Sequence, residues 1–292
     1  MSLFKFALSA DKFATIRREL GNNAAAYFAA MQAAEKAFFT EITNEHNQES
    51  LAWLQLRTQL ITRIDNHELA GLDDFNIMQI QNVSPLQNGL LRQVEVVTLT
   101  SLAAAIEDIS EQCWLGFDTE TAPTFEKGKR NTNPISLIQI ATATHCYLFR
   151  MQAENKQPFI AALNAVLNDD KQLKVGIGLR SDINAMKRDF NISISHILDL
   201  NWLLNQLGAP KQLGTQQMTA TVLGLKLPKS KKVTLSDWSK PISEPLTELQ
   251  VQYAAADALV ALDILHGLIE QITPYKNLWP KALIQRLTEL DY

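Results

Sequence analysis

The stretch WLGFDTE, residues 114–120, reads as a buried strand that runs from an apolar stem into two acids. Alternate residues of a strand share a face, so Asp118 and Glu120 point together while Thr119 turns away. Downstream, ISLIQIAT at 135–142 and HCYLFR at 145–150 alternate like neighbouring strands joined by a tight turn. A helix around Phe159–Leu167 follows, then the strand LKVGIG (173–178), a helix from about Ser181 to Phe190 and the strand HILDL (196–200). Upstream, VEVVTL at 94–99 leads into a short helix around Leu102, Ile106 and Ile109. Three hairpin-like strands followed by β-α-β units predict an α/β fold, a mixed sheet flanked by helices.

Two acids side by side at the end of an apolar strand repel unless a cation sits between them. Asp182, in GLRSDIN, stands at the first turn of a helix directly after VGIG. Taken alone, an acid there is explained by the helix dipole, and Asp189 seven residues on is read that way. Further along, Thr247 and Gln250 fit a capping box that starts a helix through YAAADALVALDILHGLI. Tyr253 and Asp257 then form an i, i+4 pair on one face. Ala254, Ala255 and Ala256 between them permit close packing against a sheet. Asp263 falls off that face and His266 lies too far along the helix to stand in for the tyrosine, so both read as surface or packing residues. Four carboxylates and a phenol in this order suit two divalent cations, Mg²⁺ or Mn²⁺, held by hard oxygen ligands. Such a pair hydrolyses a phosphodiester: one ion activates water and the other, about 3.5–4 Å away, stabilises the leaving oxygen. Asp257 can ligand a metal while the Tyr253 hydroxyl orients the attacking water.

At these stretches the chain resembles the 3′–5′ exonucleases with an Asp-Glu-Asp-Asp set plus a tyrosine (DEDDy), the family of RNase D and the Werner syndrome helicase's exonuclease domain. FDTETAPTFEKG, VGIGLRSD, LPKSKKVTLSDWS and LTELQVQYAAADA carry the likeness, in that order, and it spans about residues 94–272. The resemblance implies an RNase H-like fold. It also implies a metal-dependent enzyme releasing nucleoside 5′-monophosphates from single-stranded or frayed 3′ ends of DNA or RNA. By the same resemblance Asp118 would contact both ions, Glu120 and Asp257 would complete one site, and Asp182 would support the other. Tyr253 would position the nucleophilic water. Lys127, Lys129, Lys229, Lys231 and Lys232 would grip substrate phosphates, and Trp238, counted with them among the substrate-binding residues, would pack near the cleft. For Phe125, stacking on the terminal base and packing in the core are equal alternatives. Asp237 departs from the pattern, since relatives often have Asn before the tryptophan.

The first 90 or so residues read as helical and are absent from the minimal members of that family. Ser9 can cap a first helix ending at Gly21, and Phe28, Met31, Ala34, Phe38 and Ile42 repeat at helical spacing. After the polar break NEHNQES, Trp53, Leu56, Leu60 and Ile64 repeat it again. These helices would pack on each other, on the rest of the chain, or on a second copy as a homo-oligomer contact. The expected organisation is therefore a helical extension (1–90), a catalytic domain (94–272) and a helical tail (273–292), with GLDDFNIMQIQNVSPLQNG as a connector rich in turn formers. With 46% apolar residues, the 292-residue chain can bury a substantial core. No uncharged apolar run approaches the roughly 18–20 residues of a membrane span. The N-terminus is a poor secretory signal, and Cys113 and Cys146 form neither a disulfide framework nor a zinc motif. A cytoplasmic protein is expected. The net charge of −4 excludes nucleic-acid binding by bulk charge, not by a local basic patch. A non-catalytic RNase H-like binding module is the rival from another class, and an oligoribonuclease for very short RNA is the rival within it. The presence of all five site residues favours an enzyme over the former.

Overall fold

The computed structural model describes residues 48–61, 66–78, 92–124, 131–209, 211–228, 233 and 235–288. The helices expected before residue 47, and any oligomer contact through them, lie outside the described residues. In chain order the elements are α1 (Gln48–Ile61), α2 (Asn66–Leu69), β1 (Gln93–Val96), α3 (Leu102–Ser110), β2 (Trp114–Thr121), β3 (Ile135–Ala141) and β4 (His145–Arg150). They continue as α4 (Lys156–Leu167), β5 (Leu173–Gly176), α5 (Arg180–Phe190), β6 (Ile197–Asp199), α6 (Leu200–Gln206), α7 (Thr215–Leu223) and α8 (Glu248–Ile272). A 3₁₀ turn (Thr273–Leu278) and α9 (Lys281–Thr288) follow. The chain gathers into two units, and their boundaries differ from the expected ones. In the smaller, α1 groups with residues 203–209 and 269–288. There Arg57 Nε donates to Leu207 O at 2.8 Å, and the Trp53 and Tyr275 rings lie 5.7 Å apart. α1 already includes Gln48 and Glu49, inside the polar stretch read as a break, because both are good helix formers.

The larger unit holds a six-stranded sheet in the order β1-β4-β3-β2-β5-β6. β2 lies antiparallel to β3 and parallel to β5, and β3 pairs antiparallel with β4. β1 joins outside β4 in parallel, and β6 extends β5 on the other side. The sheet is the mixed sheet flanked by helices that the sequence predicts. Strand alternation divides its two faces. Leu115 and Phe117 of β2, Ile138 and Ile140 of β3, and Phe149 of β4 meet Phe159 of α4 in the main apolar core. On the opposite face, Gly116 and Ala141 lie under α8, where a Cβ on Gly116 would stand 2.1 Å from Ala258 O and 3.1 Å from Ala141 Cβ. Ala254, Ala255 and Ala258 are buried there, so small residues on both partners allow helix and strand backbones to touch.

The helix start is as the sequence predicts: Thr247 N–H donates to Gln250 Oε1 at 3.0 Å and Gln250 N–H to Thr247 Oγ1 at 3.3 Å. Asp263, read as a surface or packing residue, is the latter. It is fully buried and bonds Arg92 through both carboxylate oxygens, at 2.9 and 2.5 Å, so α8 is pinned to the approach to β1. The period of the helix marked Asp263 as off the Tyr253 face but could not show that a guanidinium from 171 residues away would meet it. Removing one member of a buried pair leaves an uncompensated charge. We expect Asp263→Ala to cost about 3–5 kcal/mol, read as a lower urea midpoint. The double change Arg92→Met with Asp263→Leu should recover the larger part, and equal losses in the two variants would show that the charge itself is not what matters.

Candidate active site

β2 carries Asp118 and Glu120 on the face that α8 covers, and α8 brings Asp257 down onto them. One oxygen from each of these three carboxylates can be chosen so that all lie within 4.8 Å of one another, and all three side chains are half-buried. Three negative charges at that spacing repel strongly where water is partly excluded. The donor set is all carboxylate oxygen with no sulfur or imidazole, which suits a hard divalent cation. These three residues, out of the four acids the sequence assigned to two ions, therefore fit a site for a divalent cation.

The fourth acid stands apart from this group. Asp182 occupies the first turn of α5, as predicted. Its Oδ1 accepts a hydrogen bond of 2.5 Å from the Thr119 hydroxyl, and its Oδ2 one of 3.3 Å from Ser181. Because Thr119 points away from Asp118 and Glu120, Asp182 approaches β2 from the opposite side of the sheet. Burial raises its pKa above the usual carboxylate value, and the negative charge of Asp199 adds to the rise against the hydroxyl bonds. The turn that delivers Asp182 is held from beneath. Gly178 has φ +75°, and the N–H groups of Gly178 and Leu179 donate to the Asp199 carboxylate at 3.1 and 3.0 Å. Asp189, two helical turns further and next to the end of α5, accepts the N–H of Ile135 at 2.9 Å and pairs with Arg188: its role is structural, but through these bonds and not through the helix dipole, which disfavours an acid at a C-terminus.

Tyr253 stands one helical turn before Asp257 and is half-buried. Its ring centroid is 6.1 Å from that of Trp238, which is only 1% exposed. Trp238 was expected among the residues that touch substrate. Its burial corrects that expectation: it reaches the site through Tyr253. Tyr253 also lines a cavity of about 780 Å³ together with Phe75, Met78, Gln216, Lys226 and Leu249. Part of that wall comes from the segment read as a plain connector. Phe75 N–H donates to Lys226 O and Lys226 N–H to Asp73 O, both at 2.8 Å, and the Phe75 side chain is buried. Phe125, Lys127, Lys129, Lys229, Lys231 and Lys232 lie outside the described residues.

A family model described as 3′–5′ exonuclease matches residues 93–273, more than half of the chain. The chain belongs to the 3′–5′ exonuclease family. Among curated relatives, the mouse bifunctional 3′–5′ exonuclease/ATP-dependent helicase WRN is 31% identical over 156 residues, 53% of this chain and 11% of that one. Of the solved structures, the Aedes aegypti Nibbler EXO domain has a TM-score of 0.54 at 27% identity, covering 63% of this chain and 90% of that one. Trypanosoma brucei RNase D in complex with RNA U12 has a TM-score of 0.55 at 21% identity, covering 61% and 63%, a likeness in fold. The sheet is thus RNase H-like, as the sequence implied. This exonuclease-family chain spans about half the length of the curated relatives it matches, or less.

Sequence reasoning passed over Asp199, whose only signal is an acid at the end of a short strand, and Gln139, a polar residue inside the otherwise apolar ISLIQIA. The raised pKa of Asp182 has a measurable sign. The native state holds that proton more tightly than the unfolded chain does, so ionisation costs stability as pH rises from the ordinary carboxylate value through the raised one. In metal-free protein, Asp182→Asn should raise the melting temperature at neutral pH, and the gain should vanish in acid. A gain of the same size at every pH would place its cause elsewhere.

Proposed function

We propose that the protein is a 3′–5′ exonuclease that uses two Mg²⁺ or Mn²⁺ ions to release nucleoside 5′-monophosphates from single-stranded DNA or RNA ends. The observation that carries this is the group formed by Asp118, Glu120 and Asp257, in a chain of the 3′–5′ exonuclease family. Bound there, divalent ions would supply an activated water and neutralise charge on the departing oxygen. Asp118, Glu120 and Asp257 would hold the ions, whose charge would neutralise the scissile phosphate. Asp182, bonded to Thr119 of the same strand, would contribute to the second ion from α5. Tyr253, fixed from behind by Trp238, hydrogen-bonds the attacking water and sets its line of approach. The cavity beside Tyr253 receives the 3′-terminal part of the strand, with Met78 and Leu249 offering exposed apolar surface to the bases. Lys127, Lys129, Lys229, Lys231 and Lys232 neutralise backbone phosphates. A cytoplasmic setting agrees with two free cysteines and with a described chain in which no helix is long and apolar enough to cross a membrane.

The test is a time course on matched 5′-labelled RNA and DNA strands with Mn²⁺, Mg²⁺ or a chelator. A ladder shortening from the 3′ end, stopped by the chelator, is the expected result, and a metal-independent or endonucleolytic pattern would refute the proposal. Asp118→Ala and Asp257→Ala should bring turnover below detection while the protein stays folded by circular dichroism. Tyr253→Phe keeps every metal ligand and loses one hydrogen bond to water, so kcat should drop roughly 10²–10³-fold at an unchanged Mn²⁺ affinity.

A further inference from the structure

Gln139 is a buried polar residue of β3 whose side chain the apolar core does not explain. It is fully buried, and neither its Nε2 nor its Oε1 has a hydrogen-bond partner among the described residues. Unmade bonds of that kind are rare in native interiors, and each calls for a use. Its place in the sheet shows one. Gln139 pairs directly with Asp118 on β2 and with Leu148 on β4. Residues opposite each other in an antiparallel pair share a face, with Cβ atoms about 4.5–5.5 Å apart. Gln139 therefore stands beside Asp118 on the face that α8 covers, beneath the contact between Gly116 and Ala258. Leu137, Ala141 and Leu148 on that face offer no polar side-chain atom, and of the diagonal neighbours on β4, Cys146 is a buried thiol and Arg150 donates to the carbonyls of Lys240 and Pro241. The residue directly opposite, Asp118, offers a carboxylate.

We propose that Gln139 is a positioning residue for Asp118: as metal ions bind, its unpartnered Nε2–H donates to an Asp118 oxygen and holds that carboxylate toward them. The proposal rests on the metal-dependent function above. An ionised carboxylate offers about four lone-pair sites on two oxygens, so it can take a metal and an amide donor together. Carboxylates that ligate metals are commonly steadied in this way by a neighbouring hydrogen bond. An amide suits the position because it orients the acid without adding charge. Glutamate there would join three existing negative charges, and lysine would compete with the cation.

Gln139→Met keeps the length and volume of the side chain and removes both polar atoms. Two readouts should move in opposite directions. The metal-free melting temperature should rise by about 2–4 °C, as expected for a stabilisation on the scale of one buried polar group. The Kd for Mn²⁺ by titration calorimetry should weaken about 10–100-fold. Activity should return toward wild type as Mn²⁺ is raised, with the KM for an oligonucleotide unchanged. A variant that melts higher but binds Mn²⁺ within about twofold of wild type would make Gln139 a mere core filler and overturn the proposal. Should Gln139→Met fail to fold, the wild type decides by NMR, where the Gln139 side-chain amide protons should shift downfield as Mg²⁺ is titrated. Unmoved resonances would overturn the inference. A wild type that binds no Mn²⁺ would instead remove the metal-dependent function, and this inference with it.

Discussion

Asp257 can stand beside Asp118 and Glu120 only because the backbone of α8 rests on Gly116, where any side chain would collide with the carbonyl of Ala258. That contact brings three carboxylates together against their mutual repulsion. The surrounding parts of the larger unit hold it closed. The capping box fixes where α8 begins, the buried alanines let it lie flat on the sheet, and the Arg92–Asp263 pair anchors it further along. An ion pair in such a place adds little net stability compared with apolar packing, but it allows a single docking of the helix. A small change of register would carry Asp257 to another side of α8.

The sheet works because its two faces have different tasks. Leu115, Phe117, Ile138, Ile140 and Phe149 build one face into an apolar core behind the central strand β2. The opposite face gives up bulk, with Gly116 and Ala141 making room for a helix and Asp118, Glu120 and Gln139 set next to it. Thr119 belongs to the first face yet bonds Asp182. The fourth acid is therefore joined to the same strand as the other two, from across the sheet. A site built on a central strand and two helices is stiffer than one built on loops, which suits chemistry that depends on the placement of charge.

Much of this was legible in the chain because it follows local rules. The strand WLGFDTE announces itself by an apolar run ending in acids, and Thr247 with Gln250 fixes the start of α8. The spacing of Tyr253 and Asp257 follows at once from the helical repeat. What was not legible depends on distant partners. Asp263 could be read only as a surface or packing residue, because nothing nearby in sequence reveals Arg92. Trp238 looked like a substrate contact, yet packing buries it behind Tyr253. The connector looked like spacing, yet Phe75 is buried and its backbone bonds Lys226.

The sequence alone determined the strands of the sheet, the helices α3, α4, α5 and α8, the helix start at Thr247 and the identity of the acids, since periodicity, capping and residue chemistry act over a few neighbours. Tertiary structure decided which of those acids meet. It placed Asp118, Glu120 and Asp257 together, set Asp182 against Thr119, and put Gln139 opposite Asp118. The physical reason is that strand register and helix docking are settled by packing across the sheet, where the determining partners lie tens of residues away.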